Sequence, residues 1–310
     1  MARGSSQKHL IFIGLVALAT LAINSRLRVA EIILDALPLA TKEFCSRDRS
    51  WRSVAVPVTT NIELIAHGGG GAPNGKYSNS LEGLSFYYAR GHRRFELDFK
   101  LTRDGVLVAT RDWGKRFIHW HPYEIQTPEQ HIKMRFELTL SGALSFTRFV
   151  SARNRCGYTA IDLDVLRNWL HNHADAEIVT DIRHTDQSSL FPLLKEKLGT
   201  VSSQIIVQIS SNQEATAAKL SGFDKVAWRN YKSKMTPADI YKNENLESIL
   251  AIVFEKSDVA MDRNQSYLEK IKSKGPEIWV FTVNDPEELR ALPRDLVDAA
   301  MTDYMTPHSY

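Results

Sequence analysis

An α/β chain closed as a (β/α)8 TIM barrel is the fold this sequence predicts, and three observations predict it. From residue 61 onward, short runs rich in β-branched residues alternate with helix-like segments, the pattern of parallel strands joined by crossover helices. About 250 residues carry that alternation, the usual size of such a barrel. Acidic residues stand toward the C-terminal ends of several runs, where these barrels place their chemistry. A doubly wound open sheet is the alternative. Of 310 residues, 43% are hydrophobic and 24% charged, which excludes a disordered chain, a collagen-like repeat and a disulfide-rich miniprotein. Lysine and arginine number 39 against 36 acidic residues, a net charge of +3, too small to call for a nucleic-acid partner.

The chain opens on an uncharged apolar run, LIFIGLVALATLAI at 10–23, preceded by Arg3 and Lys8. It is shorter than the ~20 residues a helix needs to cross a bilayer and suits a signal-like segment. Ala17 and Ala19 lie inside the run and no cleavage motif follows. The expectation is therefore an uncleaved N-terminal membrane anchor, with a cleaved signal or an amphipathic helix packed on the domain as alternatives. Arg26 and Arg28 follow closely and leave the orientation open. Residues 24–60 read as a connector, so that 1–60 form the leader and 61–310 the barrel. Cys45 and Cys156 have no metal or redox spacing; they read as free thiols, or as one bridge in an exported chain.

The strand candidates are 62–67, 93–99, 106–111, 177–182, 204–209, 225–229, 249–254, 278–283 and 298–302. That is one more than the barrel needs, and 249–254 or 225–229 is expected to be the extra or irregular element. Residues 113–158, with Trp113, His119, Trp120 and His121, break the alternation. They read as an insertion after the third strand, of the kind that covers a substrate.

Three clusters carry chemistry. Ile65-Ala66-His67 runs into the glycines at 68–71, where backbone N–H groups around Gly69 can approach an anion and His67 can move a proton near neutral pH; a flexible loop after a core strand is the plainer reading. In Phe95-Glu96-Leu97-Asp98, strand alternation sends Glu96 and Asp98 to one face. Inside a barrel that face is costly for unpaired charge, so a divalent cation is their natural partner. Val179-Thr180-Asp181-Ile182-Arg183 repeats the pattern, with Asp181 to complete a metal shell and Arg183 to bind a phosphate bidentately; an ordinary ion pair is the alternative. Asn79 orients the first loop or caps the following helix, and Glu82 three residues beyond it favours the cap. Asn284 and Asp303 end the last two strands and are candidates for hydrogen bonding behind the site, with caps or turns equally open.

In this order and spacing the segments resemble the glycerophosphodiester phosphodiesterase family, within the superfamily that includes phosphatidylinositol-specific phospholipase C. The resemblance runs from Ile62 to Asp303 through IAHGGGG, Asn79-Ser80-Leu81-Glu82, FELDFKLTRDGVLVATRDW (95–113), IVTDIR, IIVQIS, WVFTVNDPEEL and MTDY. It implies one divalent cation, Ca2+ or Mg2+, held by Glu96, Asp98 and Asp181, with His67 as one member of a histidine acid/base pair. It also implies hydrolysis of a glycerophosphodiester to an alcohol and glycerol phosphate, with Trp279 on the aromatic wall that faces substrate; packing of the barrel interior explains Trp279 and Phe281 equally well. Asp181 stands where the family usually has Glu, Arg183 where it has Lys, and Gly68 where it has Arg. The larger departure is Arg111, in place of the second histidine. A guanidinium cannot exchange a proton at pH 7. Three readings stay open: Arg111 acts electrostatically on the phosphate, His119 or His121 replaces the missing group, or the barrel binds a phosphorylated ligand or protein partner without hydrolysis. The leader makes lipid-derived head groups or envelope polymers the expected substrates, on the periplasmic or extracytoplasmic side of a membrane, or outside the cell after cleavage.

Overall fold

The computed structural model describes residues 51–307, apart from Arg52, 57–60, 74–75, 114–137, 139–141, Cys156, 185–186, 231–234 and 243–245. The apolar run 10–23, both cysteines, His119, Trp120 and His121 lie outside the described residues. Among the described residues no helix is long and apolar enough to cross a membrane.

Eleven strands are described: β1 (Val54–Ala55), β2 (Glu63–Ala66), β3 (Arg94–Leu101), β4 (Leu107–Ala109), β5 (Glu177–Ile182), β6 (Ile205–Ile209), β7 (Val226–Arg229), β8 (Ala251–Glu255), β9 (Glu277–Phe281), β10 (Ala299–Thr302) and β11 (Met305–Thr306). Eight of them pair in parallel in the order β2-β3-β5-β6-β7-β8-β9-β10, and the β10–β2 pairing closes the ring. A closed cylinder excludes the open sheet. Strands β7 and β8 are regular staves of the barrel, which corrects the expectation that one of them is the extra element. The extra run is β4, which folds back antiparallel on β3 (Phe99 opposite Ala109) across the Thr102–Gly105 turn. The insertion follows this third run as expected, between β4 and the next stave β5, and its described part includes the helix Phe146–Arg155.

Period-two alternation explains the layers. Ile65, Val179, Ile206, Ala227, Val253, Trp279 and Met301 fill the cylinder, while their neighbours Leu64, Phe95, Ile178, Ile205, Ile252 and Val280 pack outward under the helices. The helix Leu81–Ala89 begins at Ser80, whose hydroxyl accepts the Gly83 N–H at 3.1 Å, an N-cap worth about 1 kcal/mol. Glu82 instead receives the Thr159 N–H and hydroxyl, at 2.8 and 2.7 Å. The sequence expectation of Asn79 as the cap is thus displaced by one residue, which leaves Asn79 available for the barrel mouth.

At the end where the strands begin, Arg94 plugs the cylinder. Its guanidinium meets Glu63 and Glu277 at 3.0 Å and Glu177 at 2.8 Å. Trp279 packs above it, fully buried, with its indole N–H on Glu277 at 2.7 Å.

Candidate active site

At the opposite end β2 delivers His67 into a tight turn through the glycines. Gly70 has φ 81°, and a Cβ there would lie 2.1 Å from the Tyr87 ring; at Gly68, with φ 57°, it would lie 2.8 Å from Tyr77. Only glycine lets these rings press on the backbone. The amides are also committed: Gly68 N–H donates to Glu96 at 2.7 Å, Gly70 N–H to the His67 carbonyl at 2.9 Å and Gly71 N–H to the Asp303 carbonyl at 2.6 Å. Gly69 is buried and its carbonyl accepts the Ser78 hydroxyl. Aromatic rings thus press on Gly68 and Gly70, and the protein's own acceptors take the N–H groups of Gly68, Gly70 and Gly71.

Glu96 and Asp98 both point into the cylinder from β3, and parallel register sets Asp181 of β5 directly opposite Asp98. One oxygen from each lies within 4.8 Å of the others. All are withdrawn from water, with exposures of 3%, 0% and 1%. Burial, reinforced by the charges of Asp98 and Asp181, pushes the Glu96 carboxyl above its ordinary range, against the opposing pull of His67 and the Gly68 N–H. Arg183 spans the two aspartates, donating Nε to Asp98 at 2.7 Å and bringing Nη2 to 2.9 Å from Asp181 as an ion pair. Burial disfavours its charge, but Asp98 and Asp181 outweigh that and hold it above the usual arginine range. Arg229, at the end of β7, donates to the other oxygen of Asp181. Arg111 brings Nη1 to 3.6 Å from Asp98, and its guanidinium carbon lies 4.3 Å from the centre of the Tyr77 ring.

Asn79 grips Asp98 twice: its Oδ1 accepts the Asp98 N–H at 3.1 Å and its Nδ2 donates to the carboxylate at 3.2 Å. That grip needs φ 40°, an unusual conformation for a residue other than glycine. The insertion holds it in place. Arg153 in the helix Phe146–Arg155, fully buried, donates to the carbonyls of Ser78 and Asn79 at 2.8 and 3.0 Å.

His67 is aligned from behind. Its Nδ1 lies 2.9 Å from Asp303, whose second oxygen accepts Asn284 Nδ2 at 2.7 Å, while Asn284 Oδ1 accepts the Asp303 N–H at 2.8 Å. This leaves Nε2 directed to the mouth, 3.8 Å from Glu96. Burial works against an imidazolium here, but the Asp303 hydrogen bond and the charges of Glu96, Asp303 and Asp98 prevail, and the His67 pKa is raised. The Tyr77 ring stands edge-on to His67, 4.8 Å between centres, and burial pushes its phenol up to about 12.

The structure thus brings His67, Glu96, Asp98, Asp181, Arg183 and Arg111 together. It does not bring Trp279, which belongs to the plug at the far end; phase alone could not distinguish an interior residue near the mouth from one at the base. Two residues escape the sequence reading. Arg229 had a signal, since a charged side chain ends a strand in phase with interior Ala227. Arg153 had none, because its role depends on how an irregular insertion returns to the barrel.

The donor set is one of hard oxygens, which suits Ca2+ or Mg2+ better than softer metals. The residues fit such an ion on the geometry of the site itself: three buried carboxylate oxygens lie within 4.8 Å of one another, and burial together with the two aspartates pushes the Glu96 carboxyl up, a condition that a cation between them relieves.

The sequence matches no protein-family model and no curated protein. Solved structures do share the fold. A glycerophosphodiester phosphodiesterase from Thermotoga maritima aligns over 78% of this chain and 94% of its own, with 17% identity and a TM-score of 0.55. One from Parabacteroides distasonis aligns over 79% and 93%, with 17% identity and a TM-score of 0.56. A phosphodiesterase from Oleispira antarctica, solved with its product sn-glycerol-3-phosphate, covers 78% and 93%, with 16% identity and a TM-score of 0.51. At these identities the likeness is one of fold.

Proposed function

We propose that this chain is a metal-dependent glycerophosphodiester phosphodiesterase, hydrolysing a glycerol phosphodiester to an alcohol and glycerol phosphate. The observation that carries the reading is the convergence of Glu96, Asp98 and Asp181 beside a His67–Asp303 pair at the mouth of the barrel. The shared fold with solved glycerophosphodiester phosphodiesterases supports it. Glu96, Asp98 and Asp181 would hold one Ca2+ or Mg2+. When bound, such an ion neutralises charge that builds on the phosphoryl oxygens during displacement.

The protein's own groups do the rest. Asp303 fixes the His67 ring through Nδ1, so Nε2 is the atom that takes a proton from the attacking oxygen as its bond to phosphorus forms. When the opposite ester bond breaks, the leaving alkoxide takes its proton from solvent, because His67 stands on the attacking side. Arg111 supplies none and serves through its charge beside Asp98. Burial of Glu96, Asp98 and Asp181 under Asn79 and the glycine turn excludes bulk water from the acidic side of the site.

The apolar run 10–23 favours lipid-derived or envelope substrates and a membrane-anchored chain with the barrel outside the cytoplasm, or a secreted one. Trp51, where the described chain begins, stacks on Phe86 and packs against Ala72 beside the glycine turn. A leader attached there would join the barrel near its mouth.

Arginine at position 111 also favours a second reading, a barrel that binds a phosphorylated ligand without turnover. Release of glycerol 3-phosphate from glycerophosphocholine by the purified protein, abolished by chelation and restored by Ca2+ or Mg2+, is the expected result. A silent wild type that gains activity in Arg111→His identifies the second reading, and silence in both proteins sinks the phosphodiesterase reading altogether.

A further inference from the structure

We infer that Arg229 is a built-in counter-cation of the acidic triad, holding the Asp181 carboxylate in competition with the divalent ion and thereby keeping that ion's affinity low. The inference rests on the reading of Glu96, Asp98 and Asp181 as a cation site. Arg229 rises from the interior phase of β7 and is 3% exposed. Its Nη1 donates to one oxygen of Asp181, while Arg183 Nη2 pairs with the other at 2.9 Å. At Asp98, one oxygen accepts Arg183 Nε at 2.7 Å and the other Asn79 Nδ2 at 3.2 Å. Every oxygen of the two aspartates therefore faces a guanidinium or amide nitrogen of the protein itself.

Charge tells the same story. Among the described residues, Arg111, Arg183 and Arg229 face Glu96, Asp98 and Asp181, a balance of positive and negative groups within one site. Arg183 and Arg111 are about one-fifth exposed in their side chains, at 21% and 20%, and can swing toward solvent or an anionic substrate; Arg229, at 3%, cannot. A guanidinium stays charged at any working pH, and a buried one has no cheap way out of a low-dielectric pocket. An arriving dication must share oxygens already bound to guanidinium and accept the repulsion of a fixed positive charge one carboxylate away. Arg229 is a positioning residue in this scheme, since it acts on the ion through Asp181.

The test is calorimetric titration of Ca2+, and separately Mg2+, into chelator-treated full-length protein, comparing wild type with Arg229→Gln and Arg229→Lys. Removing the charge is expected to tighten binding by about tenfold or more, while Arg229→Lys stays within a few-fold of wild type. A purely structural ion pair would lower stability and leave the affinities alike. If Arg229→Gln melts too readily for titration, the rise of its Tm in excess Ca2+ is compared with that of wild type; a larger rise supports the inference. Equal or weaker binding, or an equal rise, overturns it while leaving the cation site intact. Absence of binding in every variant overturns both.

Discussion

The two ends of the barrel carry the same kinds of charged group in opposite arrangements. At the base one arginine, Arg94, is shared among Glu63, Glu177 and Glu277, which keep side-chain exposures of 39%, 23% and 33%. At the mouth Glu96, Asp98 and Asp181 are wholly withdrawn and flanked by Arg111, Arg183 and Arg229, with His67 alongside. The base gathers part-exposed carboxylates on one fork and closes the cylinder; the mouth forces three fully buried carboxylates together and leaves Glu96 reluctant to ionise. Ion pairs at the base hold the fold, whereas crowding at the mouth stores an appetite for a cation. Burial, rather than the count of charges, separates the two roles.

The sharpest way to break this comparison is to neutralise one carboxylate at each end. Asp98→Asn is expected to lower glycerophosphodiester hydrolysis by about 10³-fold or more, whereas Glu277→Gln at the base leaves kcat/KM within about twofold, both measured by release of glycerol 3-phosphate. Comparable losses at the two ends would erase the distinction. His67→Asn comes next, with an expected loss of about 10²–10⁴-fold in kcat; Asp303→Asn loses less, because it misaligns the imidazole without removing it. Arg94→Met reverses the pattern: it costs roughly 2–4 kcal/mol of stability in urea, the range for a broken, part-buried ion-pair cluster, with activity of the folded protein unchanged. The smallest effect is at Ser80, where alanine removes the helix cap for about 1 kcal/mol and shifts the urea midpoint without altering its slope.

Much of this contrast is legible in the amino-acid sequence. Phase along FELD and VTDIR is enough to send Glu96, Asp98 and Asp181 inward, because alternation in a strand leaves no freedom about which residues share a face. The ring of alternating strands and helices follows from hydrophobic period in the same way. Errors arise where a local pattern has two three-dimensional solutions. The run at 106–111 has the look of a stave, yet the Asp104-Gly105 turn before it brings β4 back along β3. The glycines after His67 have the look of a loose loop, yet Tyr77 and Tyr87, several residues or more further along the chain, press on Gly68 and Gly70. Trp279 has the phase of an interior residue, and only its depth assigns it to the base.

By itself the sequence determined the layered architecture, the inward acids and the place of His67 at a strand end, since all of these depend on neighbours a few residues apart. Tertiary structure decided what those groups touch. The pairing of Asp303 with His67, the clasp of Arg229 on Asp181 and the brace from Arg153 to Asn79 join segments 236, 48 and 74 residues apart. Contacts over such separations are set by the closure of the cylinder and by the length and tilt of every strand between, which no local pattern encodes.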